Sequence, residues 1–86
     1  MWHVYILKSD LKRWYYIGST NRLAERVKEH NADKVESTKA LRPLSLVYNE
    51  HFDTEVEARK REKQLKSQRI AKEAIIRHIE RHWGIV

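Results

Sequence analysis

The stretch over residues 14–31, WYYIGSTNRLAERVKEHN, constrains the fold most because it changes from a strand pattern to a helix pattern around one glycine. Its first four residues are aromatic or β-branched and favour a pleated strand. Gly18 allows the backbone to change direction sharply, which a residue with a Cβ resists. Three candidate N-cap residues then follow, namely Ser19, Thr20 and Asn21. The sequence therefore predicts a strand over residues 14–18 and a helix over residues 21–31.

This predicted helix carries polar side chains on the same face as its apolar ones. The face is made by four residues spaced i, i+3, i+4 and i+7: Leu23, Arg26, Val27 and His30. Leu23 and Val27 would pack on the core. Arg26 and His30 would also be turned inward, where a polar group needs a partner. A functional site is one place that offers such partners.

The charge balance of the chain points to a partner of opposite charge. Its 86 residues contain 18 Lys and Arg against 12 Asp and Glu, a formal net charge of +6. A small basic domain with aromatic side chains indicates a polyanion such as nucleic acid, and a merely solvated basic surface is the alternative. Cysteine is absent, which excludes disulfides and thiolate metal sites and agrees with a cytoplasmic protein. No apolar run is long enough to predict a membrane span.

Two further segments show strand patterns. Residues 2–8 are apolar on both sides, with Trp2, Val4 and Ile6 on one side and His3, Tyr5 and Leu7 on the other. This pattern is typical of an interior strand, and the short polar connection at 9–13 predicts an antiparallel hairpin with residues 14–18. A third strand is predicted over residues 44–49, with one face made by Leu44, Leu46 and Tyr48. Residues 32–43 predict a polar, irregular loop that ends at a proline.

Two more helices follow the third strand. Thr54 and Glu57 form a capping box at the start of the first, which runs to about residue 66 before a break near Ser67. Its inward face is predicted to carry Ala58, Glu62 and Leu65. The last helix, over residues 69–83, ends at Gly84, and its predicted buried side holds Ala71, Ala74, Ile75, His78, Ile79 and Trp83. The predicted fold is a single α+β domain over residues 1–86, a small three-stranded sheet flanked by helices in the order ββαβαα.

Five ionisable side chains are predicted to face inward from separate elements: Tyr5, Tyr16, Arg26, His30 and Glu62. Such groups should converge, because each needs a partner. Hydrolysis of a phosphodiester needs a group that orients or deprotonates water, a cation for the extra charge on phosphorus, and a metal held by a carboxylate. Each residue also has a structural interpretation: packing for the tyrosines, a solvated head group for the arginine, the helix dipole for the histidine, and an ion pair with Arg59 or Lys66 for the glutamate.

Four short motifs contain these residues: VYI at 4–6, YIG at 16–18, RVKEH at 26–30 and REKQLK at 61–66. Together they resemble the GIY-YIG nuclease superfamily, and within it the small free-standing domains of the UvrC/intron-endonuclease (URI) type. The resemblance covers essentially the whole chain. It implies the GIY-YIG/URI fold and a metal-dependent endonuclease that cuts a phosphodiester to leave a 5′-phosphate and a 3′-hydroxyl.

The resemblance also implies a role for each matching residue. Tyr5 matches the tyrosine of the first motif, a general base or water-orienting group, and Tyr16 matches the second, which helps to place water and phosphate. Arg26 matches the arginine that stabilises the phosphoryl transition state, and His30 a position that supports the tyrosines. Glu62 matches the single carboxylate ligand of a divalent cation, Mg²⁺ or Mn²⁺. Because a free tyrosine has a pKa of about 10, it is a poor base unless a nearby cation such as the arginine or the metal stabilises the phenolate.

The expected partner is DNA, and the expected contacts are a glycine that lets backbone approach together with polar and basic side chains: Gly18, Ser19, Lys34, Lys39, Arg59, Lys63 and Lys66. Binding should be weak, salt-sensitive and poorly selective for sequence, since phosphate contacts carry it. The dense basic stretch from Arg59 to Lys72 could equally be a solvated helix face. The expected setting is DNA repair or recombination, with the chain a monomer or weak homodimer. A nucleic-acid-binding module that cleaves poorly or not at all is the alternative function.

The chain departs from the family pattern at three places. His3 replaces the glycine of the first motif, and Ser19 stands where some relatives carry lysine. No asparagine follows Asn49, where many relatives have one beyond the metal-binding glutamate, although Gln68 could substitute for it. The missing asparagine slightly favours the module that does not cleave.

The remaining histidines are weaker candidates for chemistry. His78 and His82 are spaced i, i+4 on the last predicted helix and could bind a transition metal, but no third ligand accompanies them. His51, after the third strand, has no partner that the sequence reveals.

Overall fold

The architecture is given by a computed structural model, which describes residues 1–32 and 35–84. Its elements in chain order are β1 (Trp2–Ser9), β2 (Tyr15–Thr20), α1 (Leu23–Asn31), a 3₁₀ helix (Glu36–Leu41), β3 (Leu44–Phe52), α2 (Glu55–Ser67) and α3 (Arg69–Trp83). The strands form one antiparallel sheet in the order β2-β1-β3. This arrangement confirms the predicted α+β class and the order ββαβαα. No helix in the described ranges is long and apolar enough to cross a membrane.

β1 is the central strand, as its two apolar faces predicted. Its residues 4–7 are each at most 1% exposed. Val4 and Ile6 pack on one side against α2 and α3, in a core that also holds Leu65. Tyr5 and Leu7 point to the other side and pack towards α1 and the 3₁₀ helix. The sheet therefore lies between two helical layers, and Tyr5 faces the layer that contains α1.

β2 does not turn at Gly18, contrary to the sequence prediction, but continues to Thr20. Gly18 lies opposite Tyr5 in the register of the hairpin. A Cβ built on this glycine would lie 2.7 Å from the Tyr5 hydroxyl oxygen. The glycine is therefore required by the close approach of an aromatic ring rather than by a change of backbone direction.

Helix α1 begins later than the sequence predicted. Its N-cap is Arg22, and no side chain bonds to the first helical N–H groups. Thr20 remains in the strand, where its hydroxyl accepts a hydrogen bond from the Arg22 N–H at 3.0 Å. Of the predicted N-caps, Ser19 and Thr20 thus belong to β2, and Asn21 lies in the connection.

A bulge in β3 changes which face its side chains occupy. β1 pairs Ile6 with Tyr48 but Leu7 with Leu46, so β3 has one extra residue between these pairs. Because side chains alternate along a strand, the extra residue turns Tyr48 towards α2 and α3, while Leu44 and Leu46 stay on the other face. The predicted common face for these three residues is therefore wrong.

The segment predicted to be an irregular loop contains the 3₁₀ helix, which covers the α1 side of the sheet. The Ser9 hydroxyl, at the end of β1, donates to the backbone carbonyl of Leu41 at 2.7 Å. Thr38 inside this segment is fully buried. The segment is thus part of the core on that side, and one of its predicted nucleic-acid contacts, Lys34, lies outside the described residues.

The ends of α2 and α3 agree with the sequence prediction. The Thr54 hydroxyl accepts a hydrogen bond from the Glu57 N–H at 3.2 Å, as a capping residue does. α2 ends at Ser67, where the break was predicted. Gly84 closes α3 with a φ of 67°, a left-handed conformation that favours glycine.

The buried side of α3 is narrower than predicted. The stripe in contact with the core consists of Ala71, Ile75 and Ile79. Three residues predicted to be buried are exposed instead: Ala74, His78 and Trp83. Glu80 is only 7% exposed, because its carboxylate accepts hydrogen bonds from Arg13 and from Tyr15 of β2.

Candidate active site

Tyr5 and His30 meet inside the protein, on the side of the sheet that faces α1. Tyr5 is 1% exposed, and His30 is fully buried. The Tyr5 Oη lies 3.0 Å from Nε2 of His30. Alternation along β1 turns the tyrosine to this side, and His30 shares its helix face with Leu23 and Val27, which pack in the same cluster as Tyr5. The inward direction predicted for His30 is confirmed.

A buried threonine completes a chain of hydrogen bonds. Nδ1 of His30 lies 3.1 Å from Oγ1 of Thr38, and the threonine hydroxyl donates to the Val35 carbonyl at 3.4 Å. Since the hydroxyl hydrogen is used there, the threonine oxygen accepts from Nδ1–H, and Nε2 is left to accept from the Tyr5 hydroxyl. Sequence reasoning missed Thr38, because it stands alone in a polar segment that has no periodic pattern.

Tyr16 lies beside this pair, and we call Tyr5, Tyr16 and His30 the tyrosine cluster. The centroid of the Tyr16 ring is 4.6 Å from that of His30 and 6.1 Å from that of Tyr5. A Cβ on Gly18 would lie 3.0 Å from Cε1 of Tyr16 and closer still to the Tyr5 ring. The glycine therefore makes room for both phenol rings, which explains the spacing of the YIG motif in this chain.

Arg26 lies at the rim of the tyrosine cluster, one turn before His30, with its side chain 33% exposed. Its Nη1 is 3.0 Å from Oε1 of Glu29, and the other oxygen of that carboxylate is 3.5 Å from Arg22. Arg26 holds the pKa of Glu29 below its ordinary value. Glu29 was not among the predicted site residues, because a carboxylate three positions from an arginine is an ordinary surface pair on a helix.

Tyr5 and His30 are uncharged at neutral pH. Burial raises the pKa of Tyr5 above its ordinary value and Tyr16 raises it further, while a hydrogen bond and the positive charge of Arg26 lower it by less. Burial lowers the pKa of His30, and Arg26 acts in the same direction. The buried phenol is therefore a hydrogen-bond donor, and the imidazole is a neutral acceptor.

Glu62 approaches from the opposite face of the sheet, at the edge made by β2. Its Oε1 accepts a hydrogen bond from the Ser19 hydroxyl at 2.5 Å, and its Oε2 accepts one from the Lys66 ammonium at 2.6 Å. Ser19 and Tyr16 are an odd number of positions apart in β2, so their side chains leave the strand on opposite faces. Lys66 spans the edge, since its ammonium also lies 5.9 Å from the centroid of the Tyr16 ring. Glu62 is thus linked to the tyrosine cluster through Lys66.

The surroundings of Glu62 suit a hard divalent cation. The donors at hand are oxygens, from the carboxylate and from Ser19, and Mg²⁺ commonly binds through one or two carboxylates while keeping several waters. The Lys66 ammonium already holds one carboxylate oxygen, so a cation would compete with it. Within residues 1–32 and 35–84 no group of three or more His, Cys, Asp or Glu side chains could hold a metal, and any ion here would depend on Glu62.

The predicted nucleic-acid contacts are spread over both faces of the protein. Gly18 is buried beneath the Tyr5 ring, and Ser19 is bonded to Glu62. Lys39 is exposed on the 3₁₀ helix, where its carbonyl accepts from Arg42. The remaining contacts, Arg59, Lys63 and Lys66, lie on α2. Arg59 pairs with Glu55 at 2.6 Å and lies 5.9 Å from the centroid of the Trp2 ring, and Lys63 is exposed.

The other candidate positions lie apart from the tyrosine cluster. His78 and His82 stack with ring centroids 6.2 Å apart on the exposed side of α3. His51 has a partner that the sequence did not reveal, because its ring contacts that of His3 at 4.7 Å. Gln68, the possible substitute for the missing asparagine, accepts from Gln64 at 3.4 Å within the turn between α2 and α3.

A small antiparallel sheet between helical layers, with two tyrosines beside a helix-borne arginine and histidine, defines a known class of catalytic domain. Residues 1–74 match the family described as the GIY-YIG catalytic domain. The chain belongs to this family. The resemblance inferred from the four motifs is therefore confirmed.

Relatives of the chain are small proteins that align with most of its length. It is 39% identical over 77 residues to the UPF0213 protein VNG_2274C of Halobacterium salinarum, an alignment that covers 87% of this chain and 99% of that protein. It is 36% identical over 84 residues to the UPF0213 protein YazA of Bacillus subtilis, covering 83% of this chain and 84% of that protein. A Staphylococcus haemolyticus relative, UPF0213 protein SH2523, is 39% identical over 66 residues, which cover 76% and 79% of the two chains.

Proposed function

We propose that this protein is a metal-dependent endonuclease that hydrolyses phosphodiester bonds in DNA with low sequence specificity. The observation that carries this function is the meeting of a phenol, an imidazole and a guanidinium around Tyr5, with the Glu62 carboxylate at the adjoining edge of β2. Membership of a catalytic-domain family supports hydrolysis. The proposed setting is DNA repair or recombination in the cytoplasm, with the chain acting as a monomer or weak homodimer.

The hydrogen-bond chain through Tyr5 supplies a route for the proton of the attacking water. Because Tyr5 is only 1% exposed, a neighbouring side chain must move before the attacking water reaches its phenol. The phenol oxygen then takes the water proton while its own proton passes to Nε2 of the neutral His30. Thr38 accepts from Nδ1–H and keeps that nitrogen protonated, so the imidazolium formed remains hydrogen-bonded. The water oxygen bonds to phosphorus, the bond to the 3′ oxygen breaks, and that oxygen takes a proton from solvent. Burial raises the pKa of Tyr5, so forming a phenolate before the water arrives would be unfavourable. Passing the phenol proton to His30 as the water proton arrives requires less free energy.

Arg26 is the group proposed to stabilise the charge that grows on the phosphoryl oxygens. Its guanidinium is partly exposed, and its bond to Glu29 fixes its orientation. The planar fork of donors matches phosphate, and its charge acts most strongly beside buried rings, where little water screens it. The Tyr16 ring, whose centroid is 6.1 Å from that of Tyr5, would position the phosphate against Tyr5.

Glu62 is the proposed ligand of Mg²⁺ or Mn²⁺, with Ser19 as a second oxygen donor. When bound, such an ion would neutralise charge on the phosphate and on the leaving oxygen. Lys66 must release one carboxylate oxygen for this, and its side chain is half exposed and free to move towards the Tyr16 ring or a phosphate.

A nucleic-acid-binding module that cleaves poorly is the second candidate function. It is favoured by one observation: both oxygens of the Glu62 carboxylate are already bonded, to Ser19 and to Lys66. A carboxylate held in this way could serve only to anchor α2 on the edge of the sheet. The two functions differ in cleavage and not in binding.

A cleavage assay with the protein and Mg²⁺ or Mn²⁺ would separate the two functions. Its substrates are labelled single-stranded, duplex and branched DNA and an RNA of the same sequence. The nuclease predicts metal-dependent cleavage that Glu62→Ala and Arg26→Ala each abolish. The matched controls are Glu55→Ala and Lys28→Ala, which remove the same charges from exposed positions on the same two helices. Binding without cleavage would favour the module, and cleavage that survives both site variants would identify a contaminating nuclease.

A further inference from the structure

A groove outside the candidate active site runs between α3 and the connection from β1 to β2. Its volume is about 520 Å³. We call it the α3 groove. Its charged lining comprises four basic and two acidic side chains: Arg13, Arg69, Lys72, Arg77, Glu73 and Glu80. The candidate active site uses none of these residues.

The acidic side chains of the α3 groove are already bonded. Glu80 accepts hydrogen bonds from Arg13 at 2.5 and 3.1 Å and from the Tyr15 hydroxyl at 3.0 Å. Arg13 holds the pKa of Glu80 below its ordinary value, so the buried carboxylate is ionised and its charge is balanced by Arg13. Glu73 pairs with Arg69 at 2.8 Å. The groove therefore presents an excess of positive charge.

That excess is carried by Lys72 and Arg77. In the described part of the chain Lys72 forms no ion pair, and Arg77 acts on Glu73 only through its charge at a distance. An arginine and a lysine on successive turns, beside a groove, suit the regularly spaced phosphates of a nucleic acid backbone.

The α3 groove begins where the candidate active site ends, at the edge of β2. Tyr15 and Tyr16 are neighbours in this strand, and Tyr16 belongs to the tyrosine cluster whereas Tyr15 bonds to Glu80 in the groove. Lys66, which lies over the Tyr16 ring, is followed three residues later, after the break between α2 and α3, by Arg69 in the groove lining. A line of basic groups thus crosses the strand edge from one face of the sheet to the other.

From this placement we infer that the α3 groove binds a single-stranded segment of the nucleic acid substrate, continuous with the strand that is cut. This inference rests on the proposed function, because the groove matters as an extension of the cleavage site. The molecule measures 32 × 28 × 20 Å. A nucleic acid that follows the path around β2 must therefore bend within a length of about ten base pairs. A duplex, with a persistence length of about 150 base pairs, resists such a bend, whereas a single strand follows it.

Binding of fluorescent DNA to the Glu62→Ala protein, measured by anisotropy across a range of salt concentrations, tests the inference without any need for cleavage. The groove variant is Lys72→Gln with Arg77→Gln. Its matched control is Lys28→Gln with Arg81→Gln, which removes the same charge from exposed positions outside the groove. The probes are a 20-nucleotide single strand, a 6-nucleotide strand and a 20-base-pair duplex.

The groove variant should bind the long single strand five- to tenfold more weakly than the control variant does. The slope of log affinity against log salt should fall by about 1.4, because two phosphate contacts on a single strand are lost at about 0.7 each. The short strand and the duplex should show less than a twofold difference between the two variants. An equal loss for both variants, or an equal loss for duplex and single strand, would overturn the inference.

The result is separable from the fate of the proposed nuclease. If the wild-type protein fails to cleave and yet the length-dependent loss is seen, the groove is a binding surface and the nuclease function fails. If the wild-type protein cleaves and the groove variant binds the long strand as the control does, the nuclease stands and the α3 groove has no such role.

Discussion

The phenol of Tyr5 and the imidazole of His30 bond to each other at 3.0 Å with neither side chain open to solvent. One group comes from the central strand and the other from the last turn of α1, so the bond joins two layers of the protein. Thr38 extends it to a third segment. A buried chain of this kind has a defined direction of donation, and changes along it have distinct consequences.

Thr38→Val removes the acceptor for Nδ1–H of His30 while keeping the shape of the side chain. A buried donor left without a partner costs about 1–3 kcal/mol, so the urea midpoint should fall with an unchanged m-value. Cleavage should slow by about tenfold or more, since a misoriented imidazole weakens proton transfer. Thr38→Ser keeps the hydroxyl and should retain most of the activity. Equal activity of the valine and serine variants would mean that Thr38 does not orient His30.

His30 should make the free energy of unfolding depend on pH below about 6.5. Its pKa is lowered in the folded protein by burial and by Arg26, against a smaller opposing effect of Glu29. The unfolded chain therefore takes up the proton first, so stability is fully present above the ordinary histidine pKa of about 6.5 and declines as pH falls below it. Thermal melts between pH 5 and 7.5 should show this decline.

In the same melts His30→Gln should flatten the decline, whereas His82→Gln, at an exposed position, should leave it as in the wild type. His3, whose pKa is also lowered, contributes in the same direction, so a partial slope should remain in the His30 variant. A slope unaffected by the His30 substitution would contradict the burial of a neutral imidazole.

Gly18→Ala should damage the site and the fold together. The added methyl would lie 2.7 Å from the Tyr5 hydroxyl oxygen, and the Tyr5 side chain that would have to shift is 1% exposed. Overpacking of this kind costs about 1–3 kcal/mol. Gly84→Ala is the control: its φ of 67° makes the substitution unfavourable by about 1 kcal/mol, but no atom of the described residues lies within 4 Å of the new Cβ. Denaturation and cleavage assays should show activity lost only in the Gly18 variant.

Lys66→Met should raise the affinity of the protein for Mn²⁺. Lys66 occupies one oxygen of Glu62 at 2.6 Å, so a cation at this carboxylate must displace it. The pair is partly exposed and spaced i, i+4, so its removal should change stability by only about 0.3–0.5 kcal/mol. Calorimetric titration without DNA should show severalfold tighter binding, and Lys63→Met on the same helix should show none. Unchanged affinity in the Lys66 variant would place the ion elsewhere than Glu62.

Local patterns in the sequence were sufficient to predict the order of the strands and main helices, and the face of α1 that carries the site. Alternation in residues 2–8 predicted a strand with two buried faces, and β1 is the central strand. The spacing of Leu23, Val27 and His30 predicted the inward face of α1, and His30 is wholly buried. Both predictions depend on periods of two and of about 3.6 residues, which are properties of the local backbone alone.

Features that depend on contact between distant segments could not be predicted from the sequence. The sequence predicts a turn at Gly18, but the glycine is required by the Tyr5 ring across the hairpin. The alternation pattern predicts the wrong face for Tyr48, because a bulge arises only when two strands pair. Thr38 and Glu80 are buried polar residues whose partners lie on other elements.

The sequence by itself determined the order of the strands and main helices, and that His30 would face the core. Only the tertiary structure decided that Glu62 stands across the edge of β2 from the tyrosine cluster, with Lys66 between. The reason is physical: side-chain direction within one element follows from local geometry, whereas the distance between elements is set by packing of the whole core.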